Sequence, residues 1–234
     1  MPPIQFGILL IPFQTLDVAG PTDILSSTSK PYLEAFTKAG LFTQYYTSPT
    51  SPAYLSIPAR AIDIEFHHIA ETLSPVPLTS GFRVLPTTTC DDAPDLDYLL
   101  IGGPDPATYT LSERFAEYVK EHVKKGKGVF TTCTGGLIIA PTGVLDGVKA
   151  TTNHVCLEMA RALRPQVEWV GEQWVVDGRG GQFWTAGGAC AGMDMFAQWV
   201  KERYDADIVR LGLESLDFRP RGLDGKAVVH EWEV

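Results

Sequence analysis

Short apolar runs that alternate with helix-like stretches are the feature that most constrains how this chain can fold. The apolar run Gln5–Ile11 ends at Pro12, which indicates a strand buried on both faces. Tyr98–Ile101 and Gly128–Thr132 have the same character, and further strands are expected at Ala61–Phe66, Trp174–Val176 and Gln182–Thr185. Strands that are separated by helices predict an α/β fold with a mainly parallel central sheet and helices on both faces.

The clearest predicted helix covers Ser112–Lys125. Its Phe115, Val119 and Val123 recur on one face, Ser112 can cap the first turn, and Gly126 ends the helix. Further helices are predicted at Tyr32–Ala39, Gly135–Ala140, His154–Leu163 and Ala191–Tyr204.

The domain organisation follows from length and from one turn-rich stretch. A chain of 234 residues suits one large α/β domain, so residues 1–234 are predicted to form a single domain. Residues 26–60 combine a helix with many Ser, Thr and Pro residues, and we expect an insertion or a lid-like excursion there.

Charge and cysteine content limit the partners of the chain. A net charge of −9 disfavours nucleic acid and anionic membranes, because both would repel the protein. The four cysteines are widely spaced and contain no metal-binding pattern, so reduced thiols in the cytoplasm are expected. No apolar run approaches the ~20 residues that span a bilayer, and the N-terminal run lacks the basic start of a signal peptide.

Cys133 is the strongest candidate for a reactive group. The strand Gly128–Thr132 runs directly into it, and Thr134, Gly135 and Gly136 then open a helix, which is the arrangement of a nucleophile elbow. A thiol at the start of a helix is expected to have a lowered pKa. The alternative is that Cys133 is a small buried apolar residue.

Two other segments end at the same edge of the predicted sheet. Gly102 and Gly103 follow the strand Tyr98–Ile101, and their N–H groups could face a negative charge that develops on a substrate. Asp17 follows the first strand among apolar residues. The alternatives are that the glycines only make a tight turn and that Asp17 only caps a helix.

These segments together resemble the ThiJ/PfpI superfamily of class I glutamine amidotransferase-like proteins, and within it the isocyanide hydratase group. The resemblance rests on the stretches LDVAGPTDIL, FRVLPTTTCDDAPDLDYLLIGG, TTCTGGLIIAPTGVLDGVKATTNH and WTAGGACAGMDMFAQWV. It covers most of residues 4–220 apart from residues 26–60. It implies a flavodoxin-like three-layer sandwich, a homodimer, and no cofactor or metal.

The resemblance also implies roles for individual residues. Cys133 would be the nucleophile, Asp17 its acidic partner, and Gly103 and Thr134 the donors of backbone N–H groups. Many members place a histidine where this chain has Asn153, and here His154 comes one residue later. One residue turns a side chain by about 100° on a helix, so no Cys–His pair is expected. Gly102, Asn153 and His154 are predicted to line the pocket.

The function predicted from these features is the cysteine-dependent hydration of an isocyanide, a small-molecule substrate, to an N-substituted formamide, which is a lyase reaction. One alternative is glyoxalase III-like or deglycase-like activity on 2-oxoaldehydes, although those relatives generally carry Glu where Asp17 stands. Another is a redox-sensing or stress-response protein in which the Cys133 thiol is oxidised. A DNA-binding regulator is not expected, because no basic helix-turn-helix follows residue 220.

Overall fold

The computed structural model describes residues 2–227 of the chain. Backbone contacts divide these residues into two compact units, which are described separately. The larger unit comprises residues 4–20 and 65–192 and carries the central sheet, and the smaller comprises residues 2–3, 21–64 and 193–227. The expectation of one domain over residues 1–234 stays a prediction.

The central sheet has seven strands in the described part of the chain and is mostly parallel. The strands of the structure are β1 Ile4–Leu9, β2 Ile64–Ala70, β3 Val76–Pro77, β4 Arg83–Val84, β5 Thr88–Thr89, β6 Tyr98–Ile101, β7 Gly128–Thr132, β8 Lys149–Ala150, β9 Glu168–Trp169, β10 Trp174–Asp177 and β11 Phe183–Ala186. The order in the sheet is β10-β11-β7-β6-β1-β2-β5, and β10 runs antiparallel to β11. This architecture confirms the predicted α/β, flavodoxin-like fold.

The middle strands of the sheet are buried on both faces. Phe6, Leu99 and Phe130 lie on adjacent strands and are all fully buried, with their strands paired in parallel register. Burying such side chains stabilises each by roughly 1.5–3 kcal/mol relative to an exposed position. The parallel arrangement brings the carboxyl ends of β1, β6 and β7 to one edge of the sheet, where ligands collect in folds of this type.

The helices of the structure include the five predicted ones, which differ at their ends, and others that were not predicted. They are α1 Thr15–Ser27, α2 Lys30–Lys38, α3 Pro52–Leu55, α4 Ile57–Arg60, α5 Glu113–Lys124, α6 Gly135–Ile139, α7 Leu157–Leu163, α8 Ala189–Arg203 and α9 Ala206–Ser215. The predicted Ser112 cap of α5 is confirmed, since its side chain accepts a hydrogen bond from Phe115 N.

Between residues 2 and 227, no helix has both the length and the apolar character needed to cross a bilayer.

The segment of residues 26–60 is helical and has an apolar core within the smaller unit. The buried residues of this core are Leu33, Phe42, Tyr54, Ile57, Ile208 and Leu211, so α2, α3 and α4 pack with α9. At its edge Arg60 forms ion pairs with Asp205 at 2.9 Å and Asp207 at 3.0 Å. The segment is therefore an ordered packing partner of α9.

Candidate active site

Cys133 lies on a sharp turn between β7 and α6. Its backbone has φ of 54°, a left-handed conformation that is unusual for a residue with a side chain. Such a conformation costs of the order of 1–3 kcal/mol and persists only where surrounding contacts hold it. The structure therefore has the predicted elbow, with the thiol at the carboxyl edge of the sheet.

Hydrogen bonds to the main chain hold Cys133 in this conformation. The Cys133 carbonyl oxygen accepts from Thr152 Oγ1 at 2.9 Å and from Asn153 N at 3.1 Å. On the other side of the turn, Thr134 Oγ1 donates to the Pro104 carbonyl oxygen at 2.6 Å. The turn is thus tied to two neighbouring segments, which offset the strain of the left-handed residue.

The two glycines after β6 allow the backbone to pass close to the elbow. A Cβ atom on Gly103 would lie 2.5 Å from both Thr134 N and Thr134 Oγ1 and 2.9 Å from Cys133 Cβ. A Cβ atom on Gly102 would lie 2.8 Å from Val18 Cγ2, so this glycine packs against α1. Gly102 is buried and serves close packing of the backbone.

Asp17 is fully buried in the first turn of α1 and faces the elbow. Its Oδ2 accepts a hydrogen bond from Gly103 N at 3.0 Å, while Oδ1 has no hydrogen-bond partner within residues 2–227. Thr132 Oγ1 donates to the Asp17 carbonyl oxygen at 2.9 Å. The Gly103 N–H is thus bound to Asp17 in this structure, and the expectation that it stabilises charge on a substrate stays a prediction.

Burial raises the pKa of Asp17 from 3.8 to about 6, and hydrogen bonds from Gly103 and from the Cys133 thiol lower it by less. The pKa of Cys133 is also raised, first by burial and then by the charge of Asp17. The lowered thiol pKa expected from the helix start is therefore wrong. The thiol is only 8% exposed, it faces a carboxylate, and α6 is only five residues long. The raised pKa of Cys133 keeps its thiol protonated at neutral pH.

Asn153 contacts the thiol directly, and His154 does not. Asn153 Nδ2 donates to Cys133 Sγ at 3.2 Å, and Thr134 adds a backbone N–H that also lowers the pKa of the thiol. The His154 side chain is exposed, and its Nε2 lies 3.0 Å from the Glu172 carbonyl oxygen. The structure thus brings together Cys133, Asp17, Thr134 and Asn153, and it places His154 away from the sulfur.

The other three cysteines of the chain differ from Cys133 in their surroundings. Cys90 is buried and burial raises its pKa to about 11, while Cys156 is partly exposed and Cys190 exposed. In the described part of the chain, no group of three or more His, Cys, Asp or Glu residues is arranged to hold a metal ion. The side chains that the structure brings together at the elbow are a thiol, a carboxyl group and an amide.

The fold and the site define an α/β protein with a buried cysteine on a nucleophile elbow and an acidic residue beside it. The family model described as the DJ-1/PfpI family matches residues 50–202, which is more than half of the chain. The chain belongs to the DJ-1/PfpI family, and this confirms the resemblance found in the sequence.

Individual relatives give a finer comparison. An isonitrile hydratase from Pseudomonas putida is 27% identical over 222 residues, covering 93% of this chain and 79% of that protein. Deglycase PfpI from Pyrococcus furiosus is 35% identical over 102 residues, covering 42% of this chain and 60% of that protein. A crystal structure of a ThiJ/PfpI family protein from Pseudomonas syringae has a TM-score of 0.69 at 20% identity, covering 95% of this chain and 78% of that one.

Proposed function

We propose that this protein hydrates an isocyanide to an N-substituted formamide, with Cys133 as the nucleophile and Asp17 as the group that moves the proton. The observation that carries the proposal is the pair of Asp17 and Cys133, in which a buried carboxyl group with a raised pKa lies beside a buried thiol. The 27% identity to an isonitrile hydratase over 93% of the chain supports the same reaction class.

In the first step the proton of the Cys133 thiol passes to the Asp17 carboxylate. The thiolate sulfur then attacks the terminal carbon of the isocyanide, and a carbon–sulfur bond forms. This carbon becomes basic and takes the proton back from Asp17, which leaves a thioimidate on the enzyme. A carboxyl group with a pKa of about 6 can serve both as the base and as the acid near neutral pH.

In the second step water adds to the thioimidate carbon. The carbon–sulfur bond breaks, the nitrogen takes one proton from the water and the sulfur takes the other. The sum is the isocyanide plus one water molecule giving the N-substituted formamide, and the Cys133 thiol is restored. A covalent intermediate of this kind divides one difficult step into two easier ones.

A second candidate is deglycase-like or glyoxalase III-like activity on 2-oxoaldehydes. The 35% identity to Deglycase PfpI over 102 residues favours it. The placement of Asn153 at the sulfur, where many relatives have a histidine, argues against it, because an amide cannot accept a proton. The redox-sensing alternative has less support, since a raised thiol pKa reduces the thiolate that peroxide oxidises.

Two substrates separate the candidates. We would incubate the protein with an aryl isocyanide and, separately, with methylglyoxal, and follow the formamide and lactate by chromatography. Formamide should accumulate with the natural chain and not with Cys133→Ala, whereas Cys156→Ala, which changes a partly exposed cysteine, should keep full activity. Lactate without formamide would replace this proposal by the second candidate. The homodimer and the cytoplasmic location stay predictions.

A further inference from the structure

The amide of Asn153 is fixed by contacts on both of its sides. Its Oδ1 accepts a hydrogen bond from Val155 N at 3.1 Å, as the cap of the short helical turn His154–Cys156. Its own backbone N–H donates to the Cys133 carbonyl oxygen at 3.1 Å. If the two ends of the amide were exchanged, Nδ2 would face Val155 N–H and two donors would meet. Oδ1 therefore stays at Val155 N, and Nδ2 faces the sulfur.

Asn153 Nδ2 faces a sulfur atom whose thiolate form few other groups stabilise. Cys133 is buried and lies beside the Asp17 carboxyl group, and both features disfavour the thiolate. The hydrogen bond from Asn153 Nδ2, at 3.2 Å, acts in the opposite direction, as does the N–H of Thr134. A hydrogen bond to a charged group is stronger than one to a neutral group, so this contact strengthens when the thiolate forms.

We propose that Asn153 is a catalytic residue of this protein, which stabilises the Cys133 thiolate through its amide N–H and leaves Asp17 as the acceptor of the thiol proton. A histidine at this position could take that proton, whereas an amide donates and cannot be protonated near neutral pH. The proton is therefore kept next to the substrate carbon that must receive it. This role deepens the proposed function and rests on it for its catalytic meaning.

Asn153 and Thr134 provide the hydrogen bonds that favour the Cys133 thiolate. Asp17 is the charged group whose field acts on Cys133. His154, the neighbour of Asn153, is exposed and lies at the Glu172 carbonyl oxygen. The acidity of the thiol should consequently depend on Asp17, Asn153 and Thr134 and be independent of His154.

The test is the pH dependence of alkylation of Cys133 by iodoacetamide, which reacts with the thiolate and requires no isocyanide. Mass spectrometry can follow each cysteine separately, because trypsin places the four of them in four different peptides, residues 84–114, 128–149, 150–161 and 180–201. The variants are Asn153→Ala and Asn153→Asp, with Val155→Ala as the control, since its side chain is 94% exposed on the same turn. Circular dichroism checks the fold of each.

Asn153→Asp keeps the oxygen that caps Val155 N but places a negative charge beside the sulfur, which raises the midpoint by itself. Asn153→Ala is therefore the decisive variant, because it removes the donor to sulfur without adding a charge. The alkylation midpoint of Cys133 should rise by about one pH unit or more in this variant, so that the rate at pH 7 falls about tenfold. Val155→Ala should leave the rate unchanged. An unchanged midpoint in a folded Asn153→Ala protein would overturn the proposal.

Turnover distinguishes this inference from the proposed function. If the alkylation midpoint rises and the natural chain still forms no formamide, the proposed reaction is wrong while Asn153 keeps its action on the thiol. If formamide forms and Asn153→Ala changes neither turnover nor the midpoint, the reaction stands and Asn153 has no catalytic role. A loss of turnover together with the raised midpoint supports both.

Discussion

Replacing Asp17 by asparagine should make the folded protein more stable at neutral pH and remove its ability to move the proton. The Asp17 carboxyl group is fully buried, and its pKa rises from 3.8 to about 6 on folding. One pKa unit corresponds to about 1.4 kcal/mol, so ionised Asp17 lowers the free energy of unfolding by up to about 3 kcal/mol. Asparagine removes this cost and can still accept the hydrogen bond from Gly103 N–H through its oxygen.

The sign of the pH dependence follows from the raised pKa. The folded state binds the proton more tightly than the unfolded state, so stability is highest below pH 3.8 and falls as the pH rises to about 6. The variant should therefore gain up to about 3 kcal/mol over the natural chain at pH 7.5 and almost nothing at pH 3.5. Other carboxyl groups titrate in the same range, but they contribute equally to both proteins and cancel in the difference.

The assay is urea unfolding of both proteins at pH 3.5 and pH 7.5, followed by circular dichroism. Asp63→Asn, which changes an exposed carboxyl group, serves as the control and should show no pH-dependent difference. The account of a buried charge would be refuted if the free energy of unfolding of Asp17→Asn differed from that of the natural chain by the same amount at both pH values. It would also be refuted if the variant were less stable than the natural chain at pH 7.5.

The remaining predictions concern the geometry around the thiol. The kcat/KM for an aryl isocyanide should fall as the pH drops below about 6, because protonated Asp17 cannot accept the thiol proton, and a flat profile would contradict this. Gly103→Ala should reduce turnover and melting temperature together, since its Cβ would lie 2.5 Å from Thr134 N, and an unchanged melting curve would argue against this contact. Thr152→Val should cost about 1 kcal/mol by removing the bond to the Cys133 carbonyl oxygen, which thermal unfolding measures.

The strands near the site could be read from the sequence because their local signals are strong. Tyr98–Ile101 and Gly128–Thr132 are short apolar runs between turn residues, and the structure reproduces both ranges. The predicted strand Ala61–Phe66 was wrong in its bounds, since the strand covers Ile64–Ala70. The alternation of apolar and polar residues begins before the strand does. Its first residue, Ala61, follows the end of α4, and Ile62 forms an isolated bridge with Ser29.

Helix α9 was missed although its signal was present. Asp205 caps it by accepting hydrogen bonds from two backbone N–H groups, and Ile208 and Leu211 occupy one buried face. The helix follows α8 after a break of only two residues, and the predicted helix stopped at that break, at Tyr204. The parts of residues 26–60 that pack against α9 are distant from it in the sequence. This distance explains why the sequence predicted an insertion or a lid-like excursion there.

The site was predictable in outline and not in its electrostatics. The strand, cysteine and glycine pattern located Cys133, and the order of strands brought Asp17 to the same edge. The direction of the thiol pKa depends on burial and on the facing carboxyl group, which a helix-start argument ignores. The contact of Asn153 with sulfur depends on a turn whose geometry no local pattern fixes. Its signal was only its place directly after the ATT run.

The most direct test of the central claim is the identity of the covalent intermediate. The protein would be mixed with an aryl isocyanide, quenched in acid within its first turnovers, digested with trypsin and analysed by mass spectrometry. We expect the peptide of residues 128–149 to gain the full mass of the isocyanide at Cys133, because addition releases no leaving group. Formation of formamide by Cys133→Ala at the rate of the natural chain, or an adduct confined to another cysteine, would contradict the account.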